Sequence, residues 1–489
     1  MIPWDIVGSI VMAGNSSSSW PVPSLLEFSA SSPFLGEVPA TDEAPLVLAS
    51  VLLSLVVVYL ASKLGGELSR MMNLPPVLGE LVGGVVVGIS ALHLLMFPES
   101  GATATDSMLM QGLNLLNGGG LSPETLSSVF DRQSEVLSVL AELGVIILLF
   151  EIGLESDLRE LTKVGYQAAI VAVVGVVVPF VGGALGLMLL FHTPVVPAIF
   201  AGAALTATSI GITSKVLSEL GFLKSKEGQI IVGAAVIDDV LGIIVLAVVA
   251  SLAKTGEVDM MNAVYLIVSA SAFLLGAIFL GKFFNQAFVS IADKLQTRGK
   301  LIIPALVFAF LMAFLANAIH LEAILGAFAA GLVLDETDKR KELDQQVMPI
   351  ADILVPIFFV TVGAKADLTV LNPAIEANRE GLVIATLLIA IAIIGKLITG
   401  WAVFGQPGIN RLAIGVGMIP RGEVGLVFAG IGAASGVLDK PLEAAIIAMV
   451  ILTTFLAPPF LRYAFQENGS DQAPESNLEG AIGSVSEAS

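Results

Sequence analysis

Long apolar segments are the feature that most restricts the fold of this chain. A helix that crosses a membrane needs about 20 mostly apolar residues, and 56% of the 489 residues are hydrophobic while only 13% are charged. A soluble domain carries roughly 25% charged residues, so a soluble globular protein and a nucleic-acid-binding protein are excluded. Unbroken apolar runs also argue against an outer-membrane barrel, whose strands alternate polar and apolar residues. The sequence therefore predicts an all-α polytopic membrane protein.

About thirteen apolar segments are predicted to span the bilayer. They lie between a polar segment at 1–43, rich in Ser and Pro, and a polar tail at 465–489 whose composition predicts disorder. The predicted transmembrane region is therefore 44–463, and its spans are 44–62, 75–97, 137–154, 164–190, 194–220, 228–252, 262–284, 301–319, 321–334, 348–364, 381–404, 411–436 and 442–463.

Basic side chains are distributed unevenly between the loops. Lys and Arg are about three times as frequent in the loops after odd-numbered spans and in the C-terminal tail as in the N-terminal segment and the remaining loops. Because basic loops stay in the cytoplasm, this bias predicts an extracytoplasmic N-terminus and a cytoplasmic C-terminus. The expected location is the inner membrane of a prokaryotic cell or an internal energised membrane.

Two predicted spans contain helix-breaking residues near their centres. Span 194–220 carries a run of hydroxyls ending in glycine at 205–211, and span 411–436 carries Pro420 between glycines. Proline removes a backbone donor, and glycine weakens a helix by about 1 kcal/mol relative to alanine. The two spans are an odd number of spans apart and so run in opposite directions. This pattern is typical of an inverted-repeat transporter with its site at the midplane, and it predicts repeats at about 164–252 and 381–463.

Two adjacent acids, Asp238 and Asp239, lie in the middle of the apolar span 228–252. A charge at this depth is costly, so such residues are functional candidates. Neighbours on a helix point about 100° apart, so the pair cannot grip one metal together; one can face a cavity while the other faces a neighbouring helix. A carboxylate that binds either a proton or a hard cation such as Na⁺ is sufficient chemistry for cation/proton exchange. The alternative is a structural pair neutralised by Lys396 and Arg421.

Lys396 lies inside span 381–404 and is predicted to pair with one of the two aspartates, although a lysine can also snorkel to the interface. Arg421 and Glu423 flank the second break. They either neutralise the facing half-helix ends or form a local ion pair that holds the kink.

Thr206, Thr208 and Ser209, in the first break, can offer hydroxyl or freed carbonyl oxygens to a cation. The alternative is that their hydroxyls bond back to their own helix. Glu80, Glu151 and Asp352 lie near segment ends and are predicted to be interfacial. We expect no cofactor and no enzymatic activity, because no nucleophile–base pair or metal-binding cluster has usable spacing.

Seven motifs make the chain resemble the monovalent cation/proton antiporter-2 superfamily, and within it the bacterial sodium/proton antiporters. They follow the family's order across 44–463 and are Pro75-Pro-Val-Leu-Gly-Glu-Leu-Val-Gly-Gly, Leu205-Thr-Ala-Thr-Ser-Ile-Gly-Ile-Thr, Val236-Ile-Asp-Asp-Val-Leu-Gly, Ile324-Leu-Gly-Ala-Phe-Ala-Ala-Gly, Pro356-Ile-Phe-Phe-Val-Thr-Val-Gly, Gly395-Lys-Leu and Ile419-Pro-Arg-Gly-Glu-Val-Gly.

The resemblance implies a core domain with two crossed, unwound helices and a separate dimerisation domain, which move relative to each other like an elevator in a homodimer. It implies that Asp239 binds Na⁺ and protons alternately, that Asp238 forms a salt bridge with Lys396, and that Thr208 and Ser209 lie near the ion. Members with paired aspartates and this lysine are typically electrogenic, so an electrogenic exchanger of Na⁺ or Li⁺ for H⁺ is implied.

Other functions remain open from the sequence. A potassium/proton antiporter or a potassium efflux protein would use nearly the same residues. An organic-anion symporter of related fold would favour cationic and polar pocket groups over paired acids, and a membrane enzyme lacks a catalytic constellation. The partners expected are monovalent cations, protons, the lipid bilayer and a second copy of the chain, with no nucleic acid.

Overall fold

The computed structural model describes residues 43–255, 260–405 and 407–466, and within them the regular structure is entirely helical. The predictions for the N-terminal segment and for the tail beyond Gln466 fall outside these residues. The α-helices are α1 (Glu43–Met71), α2 (Pro76–Val87), α3 (Met108–Leu116), α4 (Pro123–Glu155), α5 (Leu158–Leu190), α6 (Val195–Ala204), α7 (Ile210–Glu219), α8 (Lys226–Thr255), α9 (Met260–Lys294), α10 (Ile302–Ala318), α11 (Ala323–Asp335), α12 (Arg340–Ala364), α13 (Glu376–Thr399), α14 (Arg411–Gly417), α15 (Glu423–Ala434) and α16 (Lys440–Gln466).

Eight of these helices are long and apolar enough to cross a membrane, namely α1, α4, α5, α8, α9, α12, α13 and α16. Shorter apolar helices include α2, α6, α10 and α11. Every predicted span overlaps one helix or a pair of short helices. The predicted all-α polytopic membrane fold is therefore confirmed.

The segment between α2 and α4 differs most from the sequence-based prediction. The span predicted at 75–97 is helical only to Val87, and the chain then turns at Gly88, where a side chain would collide with the backbone of Ala364. The 99–136 loop contains α3 and the beginning of α4. Serine side chains cap both helices: Ser107 accepts a hydrogen bond from Met110 N–H, and Ser122 accepts one from Thr125 N–H. Such caps satisfy backbone donors that a helix leaves free.

The three histidines have a common backbone conformation. His93, His192 and His320 all have positive φ, of 50°, 54° and 64°. Histidine is one of the non-glycine residues that enter this left-handed region most readily. His192 and His320 each lie two residues beyond a helix, α5 and α10, so these residues serve chain reversal rather than forming a cluster.

Packing divides the helices into two groups. The first group contains α1, α2, α4, α10, α11 and α12. The second contains α5 to α8 and α13 to α16, which are the helices of the two predicted repeats. The groups touch through a few contacts, chiefly between α4 and α7, and α9 contacts both groups.

Candidate functional site

The two predicted breaks are real and lie against each other. Residues 205–209 interrupt α6 and α7, and residues 418–422 interrupt α14 and α15. Ser209 N–H donates to the carbonyl oxygen of Pro420 at 2.8 Å, and the Thr208 hydroxyl donates to that of Met418 at 3.2 Å. Within a membrane every freed backbone group needs a protein or water partner. Each break supplies partners for the other, which explains why two breaks occur together.

Arg421 faces the end of the first half-helix. Its Nη1 donates to the carbonyl oxygen of Ala207 at 2.5 Å and to that of Thr206 at 3.3 Å, just beyond the C-terminus of α6. A helix C-terminus carries a partial negative charge, and the fully buried guanidinium faces it. Thr454 on α16 donates to the Arg421 carbonyl oxygen at 2.7 Å and fixes the second break from behind. Glu423 is the first residue of α15, but its side chain lies outside the described part of the chain.

Asp238 pairs with Lys396 at the centre of the second helix group. The Lys396 Nζ lies 3.1 Å from Asp238 Oδ2, and both side chains are completely buried. The pair joins α8 to α13. Gly175 on α5 makes room for the ammonium, since a Cβ there would lie 3.2 Å from Nζ. The residues alone left open which aspartate takes the lysine, whereas the family resemblance implied Asp238, and in the structure the lysine contacts Asp238.

Asp239 points to a different place, a small cavity of about 10 Å³, which is on the order of one water molecule. Residues of both breaks line it, and so do residues of α4, α11 and α12 from the first helix group. The cavity therefore lies on the boundary between the two groups. Its lining residues are Val145, Ala207, Thr208, Ser209, Ile210, Gly211, Asp239, Ile324, Phe358, Gly422 and Val424.

The hydroxyl residues of the first break have different surroundings. Thr208 and Ser209 line the cavity beside Asp239. The Thr206 hydroxyl instead donates to the carbonyl oxygen of Ala203 at 2.8 Å, in its own helix, and Thr206 is absent from the cavity wall. Of the two roles considered for Thr206, the structure shows the hydrogen bond to its own helix. Ser209 has a second role, because its Oγ caps α7 by accepting from Ile212 N–H at 3.4 Å.

Sequence reasoning missed several residues around this site. Glu151 was expected at the interface, yet only 9% of it is exposed, because α4 packs tightly against α11 and α12. Glu80 is half-buried and accepts a hydrogen bond from Ser62 Oγ at 3.0 Å, while Asp352 is exposed as expected. Nothing in the sequence distinguished Gly175 from the other glycines of the chain.

A multi-pass integral membrane protein of the transporter type has the features seen here, namely membrane-length helices, two interrupted helices in contact and a buried charged site. The family described as "Sodium/hydrogen exchanger, transmembrane" matches residues 38–465, and the chain belongs to that family. The prediction of a cation/proton antiporter family is confirmed, although the narrower antiporter-2 label is not exact.

Named relatives agree with this assignment. The chain is 62% identical over 435 residues to the high-affinity Na⁺/H⁺ antiporter NhaS3 of Synechocystis sp., covering 89% of this chain and 94% of the relative. It is 32% identical over 416 residues to the Na⁺/H⁺-K⁺ antiporter GerN of Bacillus cereus, covering 84% and 95%. The solved structure of the sodium proton antiporter MjNhaP1 from Methanocaldococcus jannaschii has the same fold, with a TM-score of 0.57, 16% identity and coverage of 87% and 98%.

Proposed function

We propose that this protein exchanges Na⁺ or Li⁺ for H⁺ across a membrane, and that Asp239 binds the cation and the proton in turn. The observation that carries the proposal is the separation of the two adjacent acids. Asp238 is neutralised by Lys396, while Asp239 faces the cavity where the two breaks meet. The names of the relatives, which are Na⁺/H⁺ antiporters, support the same exchange.

Charge balance in the site supports competition between the two ions. Among the side chains that the structure describes, the buried ionisable ones around the breaks are Asp238, Asp239, Lys396 and Arg421, two acids and two bases. A proton on Asp239 or a Na⁺ beside its carboxylate gives the set the same net charge. Binding both at once would bury one further positive charge without a partner, which is costly. One ion therefore has to leave before the other binds.

The neighbouring residues have supporting roles in this proposal. Thr208 and Ser209 offer oxygens to the cation, and Thr206 contributes through its backbone carbonyl, which holds Arg421. Arg421 and Glu423 stabilise opposite half-helix ends. Electrogenic exchange needs one proton more than the one that Asp239 trades for the cation, and in this proposal Lys396 releases that proton when Asp238 leaves the pair.

Alternating access follows in this proposal from relative movement of the two helix groups, since the cavity is lined by both. We also propose a homodimer, with the first helix group as the dimerisation domain. We propose that the N-terminus is extracytoplasmic, as the distribution of basic residues predicts. Four ion pairs between described residues agree with the predicted division of the loops into two sides, because each joins different segments assigned to the same side: Glu43–Arg132, Glu99–Lys365, Arg159–Glu336 and Asp293–Lys339.

Asp239→Asn tests the exchange directly, because asparagine keeps the shape of the side chain but cannot take up a proton at working pH. In proteoliposomes with a pH-sensitive dye, we expect Na⁺-dependent proton flux to be lost. Asp131→Asn is the matched control, since this acid lies exposed on α4 away from the cavity. Full activity of the Asp239 variant would refute the assignment. An exchange rate that ignores an imposed membrane potential would refute the electrogenic part alone.

Potassium/proton exchange is the second candidate. It is favoured by one observation, that the related protein GerN of Bacillus cereus is a Na⁺/H⁺-K⁺ antiporter. Competition curves for Na⁺, Li⁺ and K⁺ in the same proteoliposomes separate the two candidates. Saturation by Na⁺ or Li⁺ that K⁺ does not displace supports sodium exchange.

A further inference from the structure

A second set of charged residues lies on the boundary between the two helix groups, apart from the cavity. We call it the boundary cluster. Lys215 on α7 is within electrostatic range of three carboxylates, those of Glu80, Glu151 and Glu219. The carboxylate of Asp352 is within electrostatic range of Glu80 and Glu151 and repels both. Glu80, Glu151 and Asp352 belong to the first helix group, whereas Lys215 and Glu219 belong to the second.

Three helices, α4, α7 and α12, run from the cavity to this cluster. On each of them the cluster residue lies six positions from a cavity residue. Along α4, Glu151 follows the cavity residue Val145 by six positions. Lys215 follows Ser209 by six positions along α7, and Asp352 precedes the cavity residue Phe358 by six along α12. Six residues of helix rise about 9 Å. All three helices run from the cavity towards loops predicted to be cytoplasmic, so the cluster lies between the cavity and that side.

Two bases, Lys215 and the exposed Lys63 on α1, lie within electrostatic range of Glu80, but of these two only Lys215 is also in range of Glu151 and Glu219. Lys215 has a charge that is not cancelled by a contact. Within the described residues it forms no ion pair shorter than 4 Å, and its side chain is half-buried. Glu151, with 9% exposure, likewise makes no hydrogen bond or ion pair in the described part of the chain. Partly buried charges are screened less by salt than exposed ones. The field of Lys215 therefore extends towards the cavity.

Other polar residues of α7 do make direct contacts across the boundary. Glu219 Oε2 accepts a hydrogen bond from Val77 N–H at 3.3 Å, and Ser218 Oγ donates to Glu155 Oε2 at 2.9 Å. These bonds hold the end of α7 against α2 and α4. A lysine one turn earlier on the same helix is thereby kept beside the boundary carboxylates without bonding to them.

We infer that Lys215 is a positioning residue for exchange: its positive charge opposes a cation that moves between the predicted cytoplasmic side and Asp239, and so weakens apparent Na⁺ affinity from that side. The inference rests on the proposed function. The boundary carboxylates attract the same cation, and Lys215 limits that attraction so that the ion is not retained on the way. No chemistry at Asp239 depends on Lys215.

The expected size of the effect can be worked out with the helix rise of about 9 Å as the separation between Lys215 and the cavity. Two unit charges at that separation change an affinity by about 2-fold in bulk water and by about 20-fold at the effective dielectric of a protein site. Removing the charge of Lys215 should therefore lower the apparent KM for Na⁺ by about 2-fold to about 20-fold. Lys215→Arg should keep the wild-type KM, because arginine preserves the charge.

The test uses everted membrane vesicles, whose cytoplasmic face is outside, with Na⁺ added externally and proton flux recorded by dye. Lys215→Gln and Lys215→Met are compared with Lys215→Arg, with protein amounts normalised. Lys163→Gln is the matched control, because this lysine lies on the same predicted face but is 67% exposed and paired with Glu160.

We expect a lower KM in both neutral variants and an unchanged KM in the arginine and control variants. The difference in KM between the wild type and the neutral variants should shrink in added choline chloride, because salt screens the charge of Lys215 in the wild type. An unchanged or higher KM in a folded neutral variant overturns the inference. An equal decrease in the Lys163 variant also overturns it, since that would be a general surface effect. Absence of Na⁺-dependent flux in the wild type would instead refute the proposed function, so the two failures are distinguishable.

Discussion

The buried pair of Asp238 and Lys396 makes a sharp prediction about stability. Lys396→Met leaves two buried acids facing Arg421 alone, and Asp238→Leu leaves two buried bases facing Asp239 alone. Removing one partner of a buried ion pair costs about 3–5 kcal/mol, because the other charge stays without compensation. The double variant removes one acid and one base and restores the balance. Replacing both partners by apolar groups of similar volume is often neutral or stabilising.

The two single variants should therefore each lose about 3–5 kcal/mol, whereas the double variant should lose much less than their sum. The coupling energy of the cycle is then at least about 3 kcal/mol. A matched control is the Glu160–Lys163 pair, which has a shorter N···O distance, 2.6 Å against 3.1 Å, but exposed side chains. An exposed pair one helical turn apart contributes about 0.5 kcal/mol or less.

Both cycles are measured by denaturant unfolding of purified protein in one detergent, with the same Lys→Met and acid→Leu substitutions. The buried cycle should give a coupling several times that of the surface cycle. Equal couplings, or single losses that simply add in the double variant, would refute the argument that burial gives the pair its importance.

Two further predictions concern the surroundings of this pair. Arg421→Met should destabilise the protein by about 1–3 kcal/mol more than Arg421→Lys, because the carbonyl of Ala207 loses its donor; equal unfolding midpoints would contradict the assigned helix-end role. Gly165→Ala, at a position on α5 with open space, should stabilise by about 1 kcal/mol. Gly175→Ala on the same helix should gain less or lose stability, since its methyl would lie 3.2 Å from the Lys396 amine; equal gains would show that the ammonium is not confined there.

The sequence predicted the helices well because the membrane imposes a single strong rule. Backbone groups in hydrocarbon must bond internally, so apolar runs become helices, and the predicted spans coincide with observed ones. The rule predicts the ends of segments less well than their centres. The second span was predicted to reach residue 97, but the helix ends at Val87 because Gly88 lies against the backbone of Ala364. The rule also placed Glu151 at an interface, because hydropathy carries no information about which neighbouring helices cover a side chain.

The candidate site could be predicted in part for the same reason. Acids inside an apolar span and glycine or proline at its centre are expensive, so they stand out without any knowledge of the fold. The hydrogen-bond partners of the hydroxyls could not be predicted from the sequence. Thr206 and Thr208 are the same residue type in the same break, and only the course of the backbone between them gives their hydroxyls different partners. One bonds back to Ala203 and the other reaches Met418 in the second break.

The sequence by itself determined that this chain crosses the membrane many times, that two of its spans are broken, and that paired acids lie between apolar neighbours. These features follow from local cost, because each residue meets hydrocarbon wherever its helix lies. The family resemblance implied the pairing of Lys396 with Asp238, but the physical reason for it lies in the tertiary structure, which sets Asp238 against Lys396 and Asp239 in the cavity wall. Adjacent residues on a helix point about 100° apart, and which direction meets a cation depends on how α8 is rotated against α13. Helix rotation is set by packing across the whole bundle, and local sequence does not encode it.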